Sequence, residues 1–160
     1  MAANSIYGNI LNEHNLRPTH RGTMEDPTIV LEGVNPTCGD DIFLYLKIED
    51  GVVEDGCFSG SGCAISQAST DIMLDLIIGE DKDTALDYAG KFMRMIRGEA
   101  SEEDIEELDE AGILKDISHM PARVKCATLA WRTMQEMMEK DESAGHGHED
   151  HSVCAENSNR

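Results

Sequence analysis

Residues 42–69 read IFLYLKIEDGVVEDGCFSGSGCAISQAS, and the fold class turns on them. Ile42, Leu44, Leu46 and Ile48 fall on one side of an extended chain, and Tyr45, Lys47 and Glu49 on the other, because successive strand side chains alternate. Asp50-Gly51 is a hairpin-turn signal, since both residues tolerate positive φ. Val52–Phe58 is then the return strand. At Gly60-Ser61-Gly62 the period changes. From Ala64 to Ile78 the apolar residues Ile65, Ala68, Ile72 and Leu76 recur as one helical stripe, with Gly79 as the stop.

Upstream, Thr28–Val34 is expected as a further strand, interrupted by Asn35-Pro36. Pro18, Gly22 and Pro27 mark a loop, and Ser5–Leu16 reads as an amphipathic helix carrying Ile6, Ile10 and Leu11. Downstream, Asp83–Arg97 aligns Ala85, Ala89, Phe92 and Ile96 as a second helix ended by Gly98. Ser101 and Asp104 suit the start of a short acidic helix, Ser101–Leu108. Pro121 opens a last helix in which Val124, Ala127, Trp131, Met134 and Met138 recur. Strands first and helices afterwards predict an α+β fold, with antiparallel strands and the helices packed on one sheet face. The apolar pattern stops after Lys140. Residues 1–140 therefore read as one domain, and 141–160 (DESAGHGHEDHSVCAENSNR) as a disordered tail rich in histidine and acid. Its His146, His148, His151 and Cys154 offer a looser auxiliary zinc or nickel site.

The chain of 160 residues carries 32 acids against 13 bases, a formal net charge of −19. Nucleic-acid and anionic-membrane roles are disfavoured, because both need cationic surface. No apolar run is long enough to span a bilayer, and the N-terminus lacks a secretory pattern, so a cytoplasmic protein is expected. The acidity serves solubility or steers a basic partner. Five cysteines, an odd count in a reducing compartment, are available as ligands or nucleophiles rather than disulfides.

Four candidate donors fall at element boundaries. Cys38-Gly39-Asp40 lies between the first two strands, Cys63 where the hairpin hands over to a helix, and Cys126 in the first turns of the last helix. Three thiolates and a carboxylate match the four donors of tetrahedral zinc. Each cysteine taken alone reads more often as a small buried apolar residue.

The wording around these cysteines carries more. NPTCGD (35–40), FSGSGCAISQAS (58–69) and PARVKCATLAW (121–131) resemble the SufU proteins and, more distantly, IscU and the N-terminal domain of NifU. The resemblance runs from about Tyr7 to Met138. It implies a small antiparallel sheet with helices on one face, and a metal ligand set of Cys38, Asp40, Cys63 and Cys126. It also implies iron–sulfur cluster biogenesis. Two departures from IscU point to the SufU branch: Lys125 stands where IscU proteins place a histidine, and their Leu-Pro-Pro-Val-Lys motif for a dedicated chaperone is absent. In addition the stretch between Cys63 and Cys126 is longer, the extra length lying near Gly98–His119. A SufU-like chain is expected to act as a zinc-dependent sulfurtransferase. It accepts persulfide sulfur from a SufS-type cysteine desulfurase by zinc-ligand exchange and passes it to downstream cluster-assembly proteins. The alternatives are a scaffold on which an iron–sulfur cluster is assembled and transferred, and an activator that carries no sulfur.

Cys38, on a loop, is the expected sulfur acceptor, with Cys126 second. Arg123, three residues before Cys126, is expected to stabilise a persulfide anion or a released thiolate. Cys57 reads as a structural thiol, and His119 as a surface or capping residue. The stretch Glu99–Glu110 holds eight acids and no Lys or Arg. It is a solvated helix or a docking surface for the desulfurase.

Overall fold

The computed structural model describes the backbone of residues 2–36 and 39–144, and the side chains of residues 9–36 and 39–140. Three strands, β1 (Ile29–Asn35), β2 (Asp40–Glu49) and β3 (Val52–Ser61), form an antiparallel sheet in that order. Asp50 and Gly51 have φ of 53° and 76°, the double positive turn that matches the right-handed twist of the hairpin. One face of β2 (Asp40, Ile42, Leu44, Leu46 and Ile48) is buried, and the alternating residues Phe43, Tyr45 and Lys47 are half-buried on the other. The β1–β2 ladder runs from Ile29 opposite Leu46 to Asn35 opposite Asp40.

Among the described residues five α-helices accompany the sheet: α1 (Ala2–Leu16), α2 (Ala64–Ile77), α3 (Lys82–Ile96), α4 (Glu102–Glu107) and α5 (Pro121–Ala144). α5 packs on β1 and β2, and α2 on β3. The expected α+β architecture is therefore present. Trp131 of α5 is fully buried and stacks on Phe92 of α3, with ring centroids 4.2 Å apart. Its indole N–H donates to Ser69 Oγ at 3.0 Å, and that hydroxyl donates to Ala127 O at 2.7 Å. The one polar atom of the largest core side chain is thus paired, which removes a desolvation cost of roughly 1–3 kcal/mol.

Several element limits differ from the sequence reading, and α1 and β2 begin earlier, at Ala2 and Asp40 rather than Ser5 and Ile42. β3 continues to Ser61 through Gly60, which has φ of 103° and on which a Cβ would overlap Asp41 O. α5 continues to Ala144, four residues past the point where its apolar pattern stops. Asp109–His119, left without an assignment by periodicity, forms a 3-10 segment. Its Ala111, Leu114 and Ile117 are fully buried at a spacing of three, the repeat of that helix. It docks on α2, α3 and α5. Near it His14 of α1 is held between Asp71 Oδ2 at 2.7 Å and Glu110 Oε1 at 2.6 Å. Burial opposes charge on this ring, but the hydrogen bonds to Asp71 and Glu110 outweigh it, so its pKa lies above the ordinary histidine value. No helix among the described residues is long and apolar enough to cross a membrane.

β1 meets α5 closely at Gly33, where an added Cβ would overlap Thr133 Oγ1 and come within 3.3 Å of Leu129 Cδ1. Gly33→Ala should destabilise the domain by about 1–3 kcal/mol through overpacking. Gly90→Ala, on α3 where the nearest atom is the flexible tip of Arg94 at 3.6 Å, should stabilise it by about 0.5–1 kcal/mol. Paired urea denaturation of the two variants checks both signs.

Candidate metal centre

Asp40 opens β2, Cys63 caps α2 and Cys126 sits in the second turn of α5, so three separate elements end at one place. One donor atom of each lies within 4.8 Å of the others. Asp40 is 1 % exposed and Cys126 1 %. The geometry follows from local backbone needs. Cys63 takes the extended N-cap conformation, φ −73° and ψ 171°, and its Sγ accepts the Ser66 N–H at 3.4 Å. A thiolate in that position faces the positive end of α2. The Cys63 N–H donates to Asp40 Oδ1 at 2.9 Å, tying the start of β2 to the start of α2.

Two residues that the sequence reading did not single out complete the frame. Asn35, buried at the last rung of the β1–β2 ladder, donates its Nδ2 to Asp40 Oδ2 at 3.4 Å and points to Cys126 Sγ at 3.8 Å. Gly62 lies so close that a Cβ would stand 3.0 Å from Asp40 Oδ1 and 3.1 Å from Ser66 Oγ. Ser66 is buried, and its hydroxyl has no hydrogen-bond partner among the described residues. Asn35 read as the stop of a strand. The available signal was its place in register with a candidate ligand, which only the hairpin alignment reveals.

The donor set tests well against a divalent cation. A buried carboxylate beside two cysteine sulfurs is costly unless a cation compensates it. Among the described residues no cationic side chain pairs with Asp40. Two sulfurs and one oxygen at this spacing are three of the four donors that zinc takes in tetrahedral sites.

The other candidates fall as follows. Cys38 lies outside the described residues; its neighbour Gly39 has φ of 78° and donates its N–H to Asn35 O at 2.9 Å, which turns the chain toward Asp40. Arg123 and Lys125 are exposed on the first turns of α5. His119 is exposed and is not in the Asp40 cluster; it borders a cleft of about 190 Å³ with Lys115, Asp116 and Ser118. Cys57 is half-buried on the sheet face away from the core, paired with Tyr45, and burial together with the Asp55 charge raises its pKa, so it stays a thiol. His146, His148, His151 and Cys154 lie outside the described residues.

Asn35 should tune the centre without being a ligand. Asn35→Ala is expected to leave the fold intact and weaken metal binding by roughly 10–100-fold, the usual effect of losing a group that orients ligands. A chelator competition titration of the variant against the parent chain measures it.

Residues 6–127 match the family described as the NifU-like N terminal domain. The iron–sulfur cluster assembly scaffold protein IscU of Thermotoga maritima is 47 % identical over 120 residues, covering 75 % of this chain and 83 % of that protein. The zinc-dependent sulfurtransferase SufU of Bacillus subtilis is 38 % identical over 138 residues, covering 86 % of this chain and 92 % of that one. Among solved structures, the SUF-system protein FiSufU of Fervidobacterium islandicum superposes with a TM-score of 0.76 at 34 % identity, over 82 % of this chain and 95 % of that chain. With a family match over residues 6–127 and sequence similarity along most of the domain, the chain belongs to the NifU-like N-terminal domain family, with the IscU- and SufU-type proteins of iron–sulfur cluster assembly.

Proposed function

We propose that the chain is a zinc-dependent sulfurtransferase of iron–sulfur cluster biogenesis, accepting persulfide sulfur from a SufS-type cysteine desulfurase. The observation that carries the reading is the convergence of buried Asp40 and Cys126 with half-buried Cys63, with Cys38 two residues from Asp40 as the fourth donor. Lys125 supports it as well. This exposed ammonium precedes Cys126 and is a charged group on the solvent side, unlike a histidine that could add a donor.

Zinc, when bound, keeps cysteine sulfur deprotonated at neutral pH without oxidising it. The rest is the work of the chain. The Cys38 thiolate attacks the terminal sulfur of the desulfurase persulfide. A sulfur–sulfur bond forms at Cys38, the one in the desulfurase breaks, and its cysteine departs as a thiolate. No oxidant or reductant is consumed. Arg123, exposed one turn before Cys126, offers a guanidinium to the anionic persulfide or to the departing thiolate.

The docking face is assigned to α4. Glu102, Glu103 and Glu106 are exposed there, while Glu107 and Asp104 are engaged by Lys91 and Arg94. Three carboxylates with no ion pair among the described residues, on one short helix, suit a basic partner surface.

A scaffold role is the second reading, favoured by the 47 % identical relative named as an assembly scaffold. Aerobic purification and elemental analysis separate the two. The sulfurtransferase should hold about one zinc per chain, and stripping it should lower the melting temperature, since metal binding is coupled to folding. Bound iron with charge-transfer absorbance and little zinc favours the scaffold.

After incubation with desulfurase and cysteine, intact mass should show one added sulfur on the parent chain and none on Cys38→Ala. A persulfide surviving in Cys38→Ala moves the acceptor role to Cys126. Replacing Glu102, Glu103 and Glu106 by Gln should raise the apparent KM of the desulfurase for this protein. The difference from the parent should shrink as the Debye length falls from about 10 Å toward 3 Å with added salt. A salt-independent KM leaves the acidity to solubility alone.

A further inference from the structure

Away from the cysteines, a second group of ligating side chains gathers where α1, α2 and the 3-10 segment meet. Asp71 and Asp75 stand four residues apart on one face of α2. Asp71 is fully buried and accepts two hydrogen bonds, from His14 Nδ1 at 2.7 Å and from the His20 N–H at 2.8 Å. The Nδ1–H of His14 is thereby committed, and Nε2 faces outward to Glu110 Oε1 at 2.6 Å. A donor atom each of His14, Asp75 and Glu110 lies within 4.8 Å of the others. Asp75 is itself oriented by His20 Nε2 at 2.6 Å.

We propose that His14, Asp75 and Glu110 form a second divalent-metal site, independent of the cysteine centre. A buried carboxylate that fixes the far nitrogen of a ligating imidazole is the usual support of a metal-bound histidine, and Asp71 stands in that relation to His14. Charge agrees. Asp71, Asp75, Glu110 and the neighbouring Asp109 outnumber His14 and His20, so negative charge remains even with both rings protonated. Access agrees too. The Asp75 and Glu110 side chains are 42 % and 49 % exposed, and both line a cleft of about 210 Å³ whose other walls are Ile72, Leu76 and Asp109. A metal ion takes the place of the proton between His14 Nε2 and Glu110. One nitrogen and two carboxylate oxygens select a first-row divalent ion that accepts N and O donors, with affinity rising along the series toward copper. Asp75 lies twelve residues beyond Cys63 along α2, roughly 18 Å at the helical rise, so one ion cannot serve both groups.

The test uses the full zinc-loaded chain with His146→Ala, His148→Ala and His151→Ala, which takes the tail imidazoles out of competition. Titration with Co²⁺ should show one further equivalent bound. Its visible d–d bands should appear without thiolate-to-cobalt charge transfer, and the melting temperature should rise because three elements are clamped. Asp75→Asn and Glu110→Gln, both at half-exposed positions that spare the core, should each weaken Co²⁺ binding on the order of 10-fold or more. His14→Gln should abolish it. The proposal fails if no further equivalent binds, if charge transfer places the added cobalt at cysteine, or if Asp75→Asn and Glu110→Gln both bind as the parent does.

Discussion

The Asp40 carboxylate is the contact on which the functional end of the molecule depends. It accepts the backbone N–H of Cys63 and the side-chain amide of Asn35, and so joins the first residue of β2, the last of β1 and the cap of α2. Because Asp40 is buried, these bonds are made away from water, where losing a partner costs more than at the surface. The same residue that holds the sheet to the helix also supplies the only oxygen among the candidate donors. Structure and chemistry are therefore coupled there: a change that frees the carboxylate for solvent also loosens the junction that brings Cys63 toward Cys126.

Cys126 reaches that junction because α5 is anchored farther along by Trp131. Trp131 stands five positions beyond Cys126, about 1.4 turns of helix, so the anchor steadies the stretch of α5 that carries the sulfur. Its stacking on Phe92 and its hydrogen bond to Ser69 fix α5 against both α3 and α2. Ser69 lies six residues beyond Cys63 on α2. The polar contact deep in the core thus links the two helices that carry the two described cysteine donors. Gly33 completes the arrangement by letting β1 approach α5 without a side chain between them.

Most of the fold was legible in the sequence because its elements are strongly periodic and well punctuated. The alternation from Ile42 to Ile48, the Asp50-Gly51 turn and the stops at Gly79 and Gly98 each correspond to a structural event at the expected place. Asp109–His119 escaped because its buried residues repeat every three positions, a period that neither an α-helix nor a strand template matches. At the site, Asp40, Cys63 and Cys126 were legible as donor types within family motifs, while their convergence is tertiary. Asn35 and Gly62 were not legible as functional. Their parts depend on register across a hairpin and on the space left beside a carboxylate, and neither leaves a periodic trace.

α2 carries two candidate donor sets along its length. At its start, Cys63 stands at the positive end of the helix dipole, and the adjacent donors are Cys126 and a single oxygen. Three turns later the same helix presents Asp71 and Asp75 to His14 and Glu110, with no sulfur among them. A soft donor set and a hard one held apart by a rigid helix can be loaded by different ions without exchange, since selectivity follows donor type and geometry more than raw affinity. The acidic surface reinforces this division. Lys91 is pinned between Asp87 and Glu107, and Arg94 is paired with Asp104. These two cations beside α4 are thus held by local acids.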